Sequence, residues 1–271
     1  MKNKIFAGIF AILLMCTMAL PADAAATRVE LHGQRIMDSG QSRVLDGVFY
    51  VPMQEVTEAL GASAKWDPEE KTMTVTTKDF TATAHVGNWW IQANEACIYA
   101  PGGVLENRDG VLVPLEAICT LFDCTMKLEN AQHAVIVPEK IPKQVWNTQY
   151  NEKDLYWLSR IVYAESGAES FECQLAVAEV VLNRVAHDWY PDTVKEVIFD
   201  EVGGIQFEPV LNGSVYNSSS ESCIAAAKVA LGGSQTMPDE TIFFVSALIH
   251  PNWISMNRPY IATIGITEFY G

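Results

Sequence analysis

Two stretches of the chain align without a gap at an offset of 62 residues. "VPMQEVTEALGASAKWDPEEKTMTV" starts at Val51 and "VPLEAICTLFDCTMKLENAQHAVIV" starts at Val113. Asp-Gly precedes both, at Asp46-Gly47 and Asp109-Gly110. A duplicated unit must fold twice in one way, so every assignment in one copy is tested by the other. Asp-Gly predicts a turn. A short strand then leads into a proline at the first turn of a helix, where its missing N–H is harmless. The helix carries Val56, Ala59 and Leu60 in one copy and Ile118, Leu121 and Phe122 in the other. Gly61 can end its helix in a left-handed conformation, and Asp123 can do so less easily. Two strands follow, with Asp67-Pro68 as the turn between them. The expected module is therefore α+β, built of two strand-helix-strand-strand pseudo-repeats.

After "PEKIPKQ", with its two prolines and charges, strand patterning gives way to helical patterning. Leu155, Leu158, Ile161 and Val162 recur at helical spacing. The next position on that face is Glu165, followed by Ser166-Gly167, which can end the helix. Asn151 or Asp154 can start it. An inward carboxyl at the C-terminal end of a helix is disfavoured as an anion by burial and by the negative pole of the helix dipole. Both effects raise its pKa, which suits a general acid for glycoside cleavage. The same pattern also fits a Glu165 that frays into solvent beyond the helix. A second helix, apolar on most sides, is expected from Phe171 to His187 with Ser170 as its cap. Glu179 interrupts its apolar run and is expected on a partly exposed side. Ser218 to Glu221 has capping-box spacing ahead of a third helix. "TIFFVS" and "PYIATIGITEFYG" read as a small set of strands.

Other features narrow the function class. Lys2 and Lys4, the apolar run from Ile5 to Leu14 and Ala22-Asp23-Ala24 make a secretory signal peptide over residues 1–24. Removing it takes away two lysines and one aspartate and moves the net charge from −15 to −16. Bulk charge of that sign argues against nucleic acid as a partner, and no later segment is long and apolar enough to span a membrane. The mature protein is therefore expected outside the cell. Five cysteines remain (Cys97, Cys119, Cys124, Cys173 and Cys223), with no C-x-x-C pair. Cys173–Cys223 is one conceivable bridge, and small buried thiols are the favoured reading. His32, His85 and His133 are too scattered for a metal site, and no G-x-S-x-G or H-E-x-x-H motif occurs. No metal and no cofactor is expected. Trp89-Trp90 can present one ring to a sugar, the other facing the core.

Two family resemblances follow from these blocks. Residues 27–138, through "VPMQEVTEALGASAKWD", resemble the copper amine oxidase N-terminal-like domain of exported bacterial proteins. That implies a module that positions the protein or contacts a cell-wall polymer. Residues 139–148 are expected as a linker. Residues 149–271 resemble the SleB-type cell wall hydrolases of the spore-cortex-lytic family, through "LSRIVYAESGAESFECQLAVAEVVLNRV", "TVKEVIFD", "QFEPVLNGSVYN" and "NRPYIATIGITEFYG". The resemblance implies a mostly α, lysozyme-like fold with a small β-sheet. It implies a role in germination or wall remodelling, with peptidoglycan glycan strands as substrate and Glu165 as the catalytic glutamate. The implied chemistry is that of a lytic transglycosylase. Glu165 protonates the oxygen between N-acetylmuramic acid and N-acetylglucosamine, then acts as base while a 1,6-anhydro ring closes. A hydrolytic muramidase and a catalytically inactive wall-binding protein are the alternatives. Glu169 keeps the family's E-x-x-x-E spacing, and Gln206 and Phe207 match its Gln-Phe block. With Tyr216 and Trp253 these are the expected substrate-binding residues. Glu169 and Glu208 are the candidates for a second carboxyl group. Cys173 stands where the family usually has Gly, and Thr267 where it often has His.

Overall fold

The computed structural model describes residues 27–37, 41–108, 110–140, 143–249 and 251–271. The expected signal peptide and linker positions 141 and 142 lie outside the described residues. The chain forms a mostly β N-terminal domain and a helical C-terminal domain.

The N-terminal domain runs β1 (Arg28–Leu31), β2 (Gln34–Arg35), β3 (Arg43–Leu45), β4 (Val48–Pro52), α1 (Met53–Ala59), β5 (Ser63–Asp67) and β6 (Thr72–Thr76). It continues through β7 (Thr81–His85), β8 (Trp90–Ala93), β9 (Ala96–Tyr99), β10 (Leu105–Asn107), β11 (Gly110–Pro114), α2 (Leu115–Leu121), β12 (Cys124–Asn130) and β13 (His133–Pro138). The central sheet has the order β10-β11-β4-β3. In it β4 and β11 pair antiparallel, with Val51 opposite Val113. Each strand ends on a proline that precedes its helix by one residue, Pro52 and Pro114. The prolines cap the helices rather than open their first turn. Beyond α1 the chain enters the sheet β5-β6-β7-β8-β9, and beyond α2 the sheet β12-β13-β1-β2.

Local chemistry accounts for the turns. Asp46 and Gly47 both take positive φ, 48° and 83°, as a tight hairpin between β3 and β4 requires. Gly61 (φ 89°) and Asp123 (φ 52°) follow the two helices in the left-handed region. The Asp67 carboxylate accepts from the Glu69 and Glu70 amides at 3.0 and 3.1 Å, closing the β5–β6 turn.

The C-terminal domain packs α3 (Glu152–Ser166), α4 (Phe171–Ala186), α5 (Val194–Ile198), α6 (Glu208–Asn212) and α7 (Glu221–Leu231) against a sheet of order β14-β16-β15. Its strands are β14 (Phe243–Ser246), β15 (Tyr260–Ile264) and β16 (Thr267–Tyr270), with the short helix α8 (Trp253–Asn257) between β14 and β15. Asn151 caps α3, Ser170 caps α4 and Ser220 caps α7 through their side-chain oxygens. The cap of α7 thus lies two residues beyond the Ser218 suggested by capping-box spacing. The middle of α4 is buried all round, from Cys173 to Val181. That includes Glu179, which was expected on a partly exposed side. Its carboxylate instead accepts from the Thr236 amide and hydroxyl and the Met237 amide, at 2.8 to 3.0 Å. A buried carboxylate with this many donors ties down the loop after α7.

The two domains share a packed boundary. Trp90 and Tyr99, on β8 and β9, stack on Phe171 with ring centroids 5.3 and 6.1 Å away. The Lys228 ammonium on α7 donates to the Glu95 carbonyl at 2.7 Å. Trp90 is buried here, at 8% exposure, and is not free to meet a sugar. All five described cysteines are free and buried. Burial pushes the Cys97 and Cys119 thiols up to about 12, so they behave as small apolar side chains. Removal of the Phe171 ring leaves a cavity under two aromatic neighbours. Phe171→Ala is expected to destabilise the protein by about 3 kcal/mol, read as a lowered midpoint in denaturant titration of the full chain.

Candidate active site

Helix α3 carries the feature that draws the site together. Leu158, Ile161 and Val162 on its inner face are fully buried, and Glu165 follows on the same face, one residue before the helix ends at Ser166. The stop is built from local contacts. The Ser166 hydroxyl donates to the Val162 carbonyl at 2.9 Å, and the Gly167 amide to the Tyr163 carbonyl at 3.0 Å. A Cβ on Gly167 would lie 2.5 Å from that same carbonyl oxygen, a separation only glycine avoids. The chain therefore turns sharply and enters α4 five residues after the helix ends.

Glu165 opens onto a cleft of about 660 Å³. Glu169 and Arg184 stand beside it, Gln206 and Glu208 come from the segment leading into α6, and Phe243, Trp253 and Thr267 come from the sheet and α8. Among the described residues the Glu165 carboxyl makes no hydrogen bond. Its pKa is raised from 4.5 to about 7. Burial is the main cause, the negative charge of Glu208 adds to it, and the Arg184 guanidinium opposes both. The Glu208 carboxylate thus adds to the burial that the helical pattern led one to expect.

Residues 168–270 match the cell wall hydrolase family model. Over those residues the C-terminal domain is similar to the cell wall hydrolase family. The match begins just beyond Glu165. The chain is 33% identical over 116 residues to the spore cortex-lytic enzyme of Halalkalibacterium halodurans, covering 43% of this chain and 34% of the relative. It is likewise 33% identical over 116 residues to the spore cortex-lytic enzyme of Bacillus cereus, covering 43% of each chain. The chain thus spans less than half the length of these two curated relatives. Among solved structures it is similar to the catalytic domain of the germination-specific lytic transglycosylase SleB from Bacillus anthracis. That match is 29% identical with a TM-score of 0.41, and covers 46% of this chain and 98% of that one. Residues 30–137 match the copper amine oxidase N-terminal domain model. Copper does not fit that module. Among the described residues no group of three His, Cys, Asp or Glu is placed to hold a metal, and His133 is paired with Glu129 and Glu30.

Within the C-terminal domain the expected site residues divide. Glu169, Gln206 and Trp253 line the cleft with Glu165. The Gln206 amide donates to the Val202 and Gly204 carbonyls of its own loop, at 3.1 and 3.0 Å, so it braces the cleft wall. Phe207 does not reach the cleft. It is 1% exposed, packed against Phe244 and beneath Arg184, and it sits on extended backbone immediately before α6. Its role as a substrate-binding residue is corrected to a core one. Tyr216 is exposed but lies outside the cleft lining, against Trp157 and Phe199 near the start of α3. The two departures from the family pattern are neighbours. Burial raises the pKa of the Cys173 thiol, and the nearby Thr267 hydroxyl opposes that rise.

Arg184, near the end of α4, both satisfies a backbone group and lines the cleft. Its Nε donates to the Ile242 carbonyl at 2.8 Å, and its Cζ lies 5.0 Å from the Phe207 ring centroid. One guanidinium nitrogen, Nη1, is buried with no hydrogen-bond partner among the described residues. Burial lowers its pKa, and the charge of Glu165 is among the opposing influences. A lone arginine in an apolar helix gave no periodic signal; only its place facing α3 reveals it.

The raised pKa has a thermodynamic consequence. The fold favours protonated Glu165, so the stability linked to this proton is full below pH of about 4.5 and is lost as the pH rises through about 7. Glu165→Gln mimics the protonated form. It is expected to melt higher than the parent at pH 8, with the difference shrinking toward zero near pH 4.5, as followed by thermal scans across that range.

Proposed function

We propose that this protein cleaves the glycan strand of peptidoglycan between N-acetylmuramic acid and N-acetylglucosamine as a lytic transglycosylase, with Glu165 as its acid and base. The observation that carries the reading is a half-buried carboxyl with pKa raised to about 7, which makes no hydrogen bond among the described residues, on an open cleft. Such a group holds a proton near neutrality and can release it. Glu165 donates that proton to the glycosidic oxygen as the C1–O bond breaks. The carboxylate then takes the proton of the C6 hydroxyl, whose oxygen bonds to C1 and closes the 1,6-anhydro ring. The charge of Glu208 helps hold Glu165 protonated beforehand and can stabilise positive charge developing at C1. The relatives named spore cortex-lytic enzymes support a wall polymer as substrate.

Glu169 and Glu208 share the cleft with Glu165, and this favours a hydrolytic muramidase as the second reading, since hydrolysis uses two carboxyl groups. The wider assignment is an exported protein, acting in the wall or spore envelope, with a repeat-built module over residues 27–138, a linker over 139–148 and the enzyme over 149–271. The direct pairing of Val51 with Val113 supports duplication within the module. The module's occupant is a wall polymer in this reading.

Mass spectrometry of digested peptidoglycan tests the proposal. Anhydromuramic ends are expected; reducing muramic ends identify a muramidase, and an absence of new ends identifies a binding protein. Glu165→Gln is expected to lose at least about a thousandfold in cleavage rate, with its circular dichroism unchanged. Activity is expected to fall as pH rises through about 7. Glu208→Gln removes a charge that raises the Glu165 pKa, so its pH–rate profile is expected to fall at lower pH than the parent's.

A further inference from the structure

Beyond the cleft, two segments distant in sequence bring two large exposed rings to one arginine. Trp253 opens α8 and lines the cleft, yet 59% of it is exposed. Trp189 lies in the turn after α4 and is 67% exposed. The Arg258 guanidinium carbon lies 5.4 Å from the Trp253 ring centroid and 5.6 Å from that of Trp189. It also lies 4.4 Å from the centroid of Phe243, which lines the cleft. Arg184, beside Glu165, is 5.9 Å from that same Phe243 ring. A continuous series of stacked groups thus runs from the acid, through Phe243 and Arg258, to the two tryptophans.

We propose that Trp253 and Trp189 form a two-ring platform on which the glycan strand rests as it leaves the cleft, with Arg258 as the positioning residue for both indoles. This rests on the glycan-cleaving reading above. Large aromatic side chains left this open to water cost apolar exposure, and two beside one cleft mark a binding surface. The C–H face of a pyranose ring stacks on an indole, and a guanidinium attracted to the ring faces fixes the indoles without covering their exposed sides. The Arg258 Nε is buried with no hydrogen-bond partner among the described residues, so ring contacts take the place of an acceptor. Trp189 is further braced by His187, whose ring centroid is 4.7 Å away and whose Nδ1 accepts from the Trp189 amide at 3.2 Å. Trp253 sits behind the Asn252 capping box that starts α8. Flat, rigid aromatic faces of this kind suit the sugar rings of a strand of linked amino sugars.

The test uses the full chain carrying Glu165→Gln, so that binding is read without cleavage. The probes are peptide-free glycan strands of alternating N-acetylglucosamine and N-acetylmuramic acid, of two and of four disaccharides, titrated by calorimetry. The parent is expected to bind the longer strand more tightly. Adding Trp189→Ala is expected to weaken the longer strand about tenfold and leave the shorter one unchanged. Trp253→Ala is expected to weaken both, and Trp189→Phe to restore part of the loss. Arg258→Gln, with both tryptophans intact, is expected to lose the length dependence while the fold, by circular dichroism, is kept. If Trp189→Ala binds the longer strand as tightly as the parent, or if only strands with stem peptides show the length dependence, the platform is wrong. That outcome together with glycan cleavage by the wild type overturns the platform alone. A wild type that releases no new glycan ends overturns the glycan-cleaving reading itself.

Discussion

The site depends on the cost of putting a carboxyl group at the end of an apolar helix face. Leu158, Ile161 and Val162 commit that face of α3 to the core, and Glu165 inherits its direction. Removed from bulk water and given no donor among the described residues, the carboxyl is stabilised by keeping its proton. The surrounding groups act on this one equilibrium from two sides. Glu208 pushes it toward the neutral form and Arg184 pulls it back, leaving the group poised where it can exchange a proton in either direction. Gly167 makes the arrangement sterically permissible, since the turn that ends α3 leaves no room for a side chain.

The remaining framework serves to hold that end of α3. Helix α4 is buried nearly all round and presents Arg184 to the cleft, while its first residue, Phe171, lies under the rings of the N-terminal domain. Glu179, at the centre of the same helix, gathers three donors from the loop after α7. One helix therefore fixes the domain boundary, the cleft wall and a surface loop at once. The β14-β16-β15 sheet closes the opposite side and brings Phe243 and Thr267 to the cleft.

Much of this was legible from residues alone, for reasons that differ by element. The helix carrying Glu165 was readable because its apolar spacing, cap and glycine stop all agree. Both helices of the N-terminal domain were readable because each proline and each left-handed residue appears at the same offset. Phe207 was misread because a motif position says nothing of which way its ring turns; the turn into α6 directs it to the core. The roles of Glu179 and Arg184 were not legible because a single polar residue in an apolar helix carries no period, and their hydrogen-bond partners, 57 or 58 residues away, arrive only with the tertiary fold. The cause of the Glu165 pKa shift was half legible. Burial followed from the pattern, whereas Glu208 approaches from a segment whose position no local rule sets.

The aromatic contact between the domains has a practical corollary for handling the molecule. Phe171, Trp90 and Tyr99 form one greasy seam whose two halves belong to different segments of the chain. Severing the polypeptide between them bares both halves to solvent. A trimmed enzyme fragment therefore carries a sticky scar, and self-association is its natural way of hiding it.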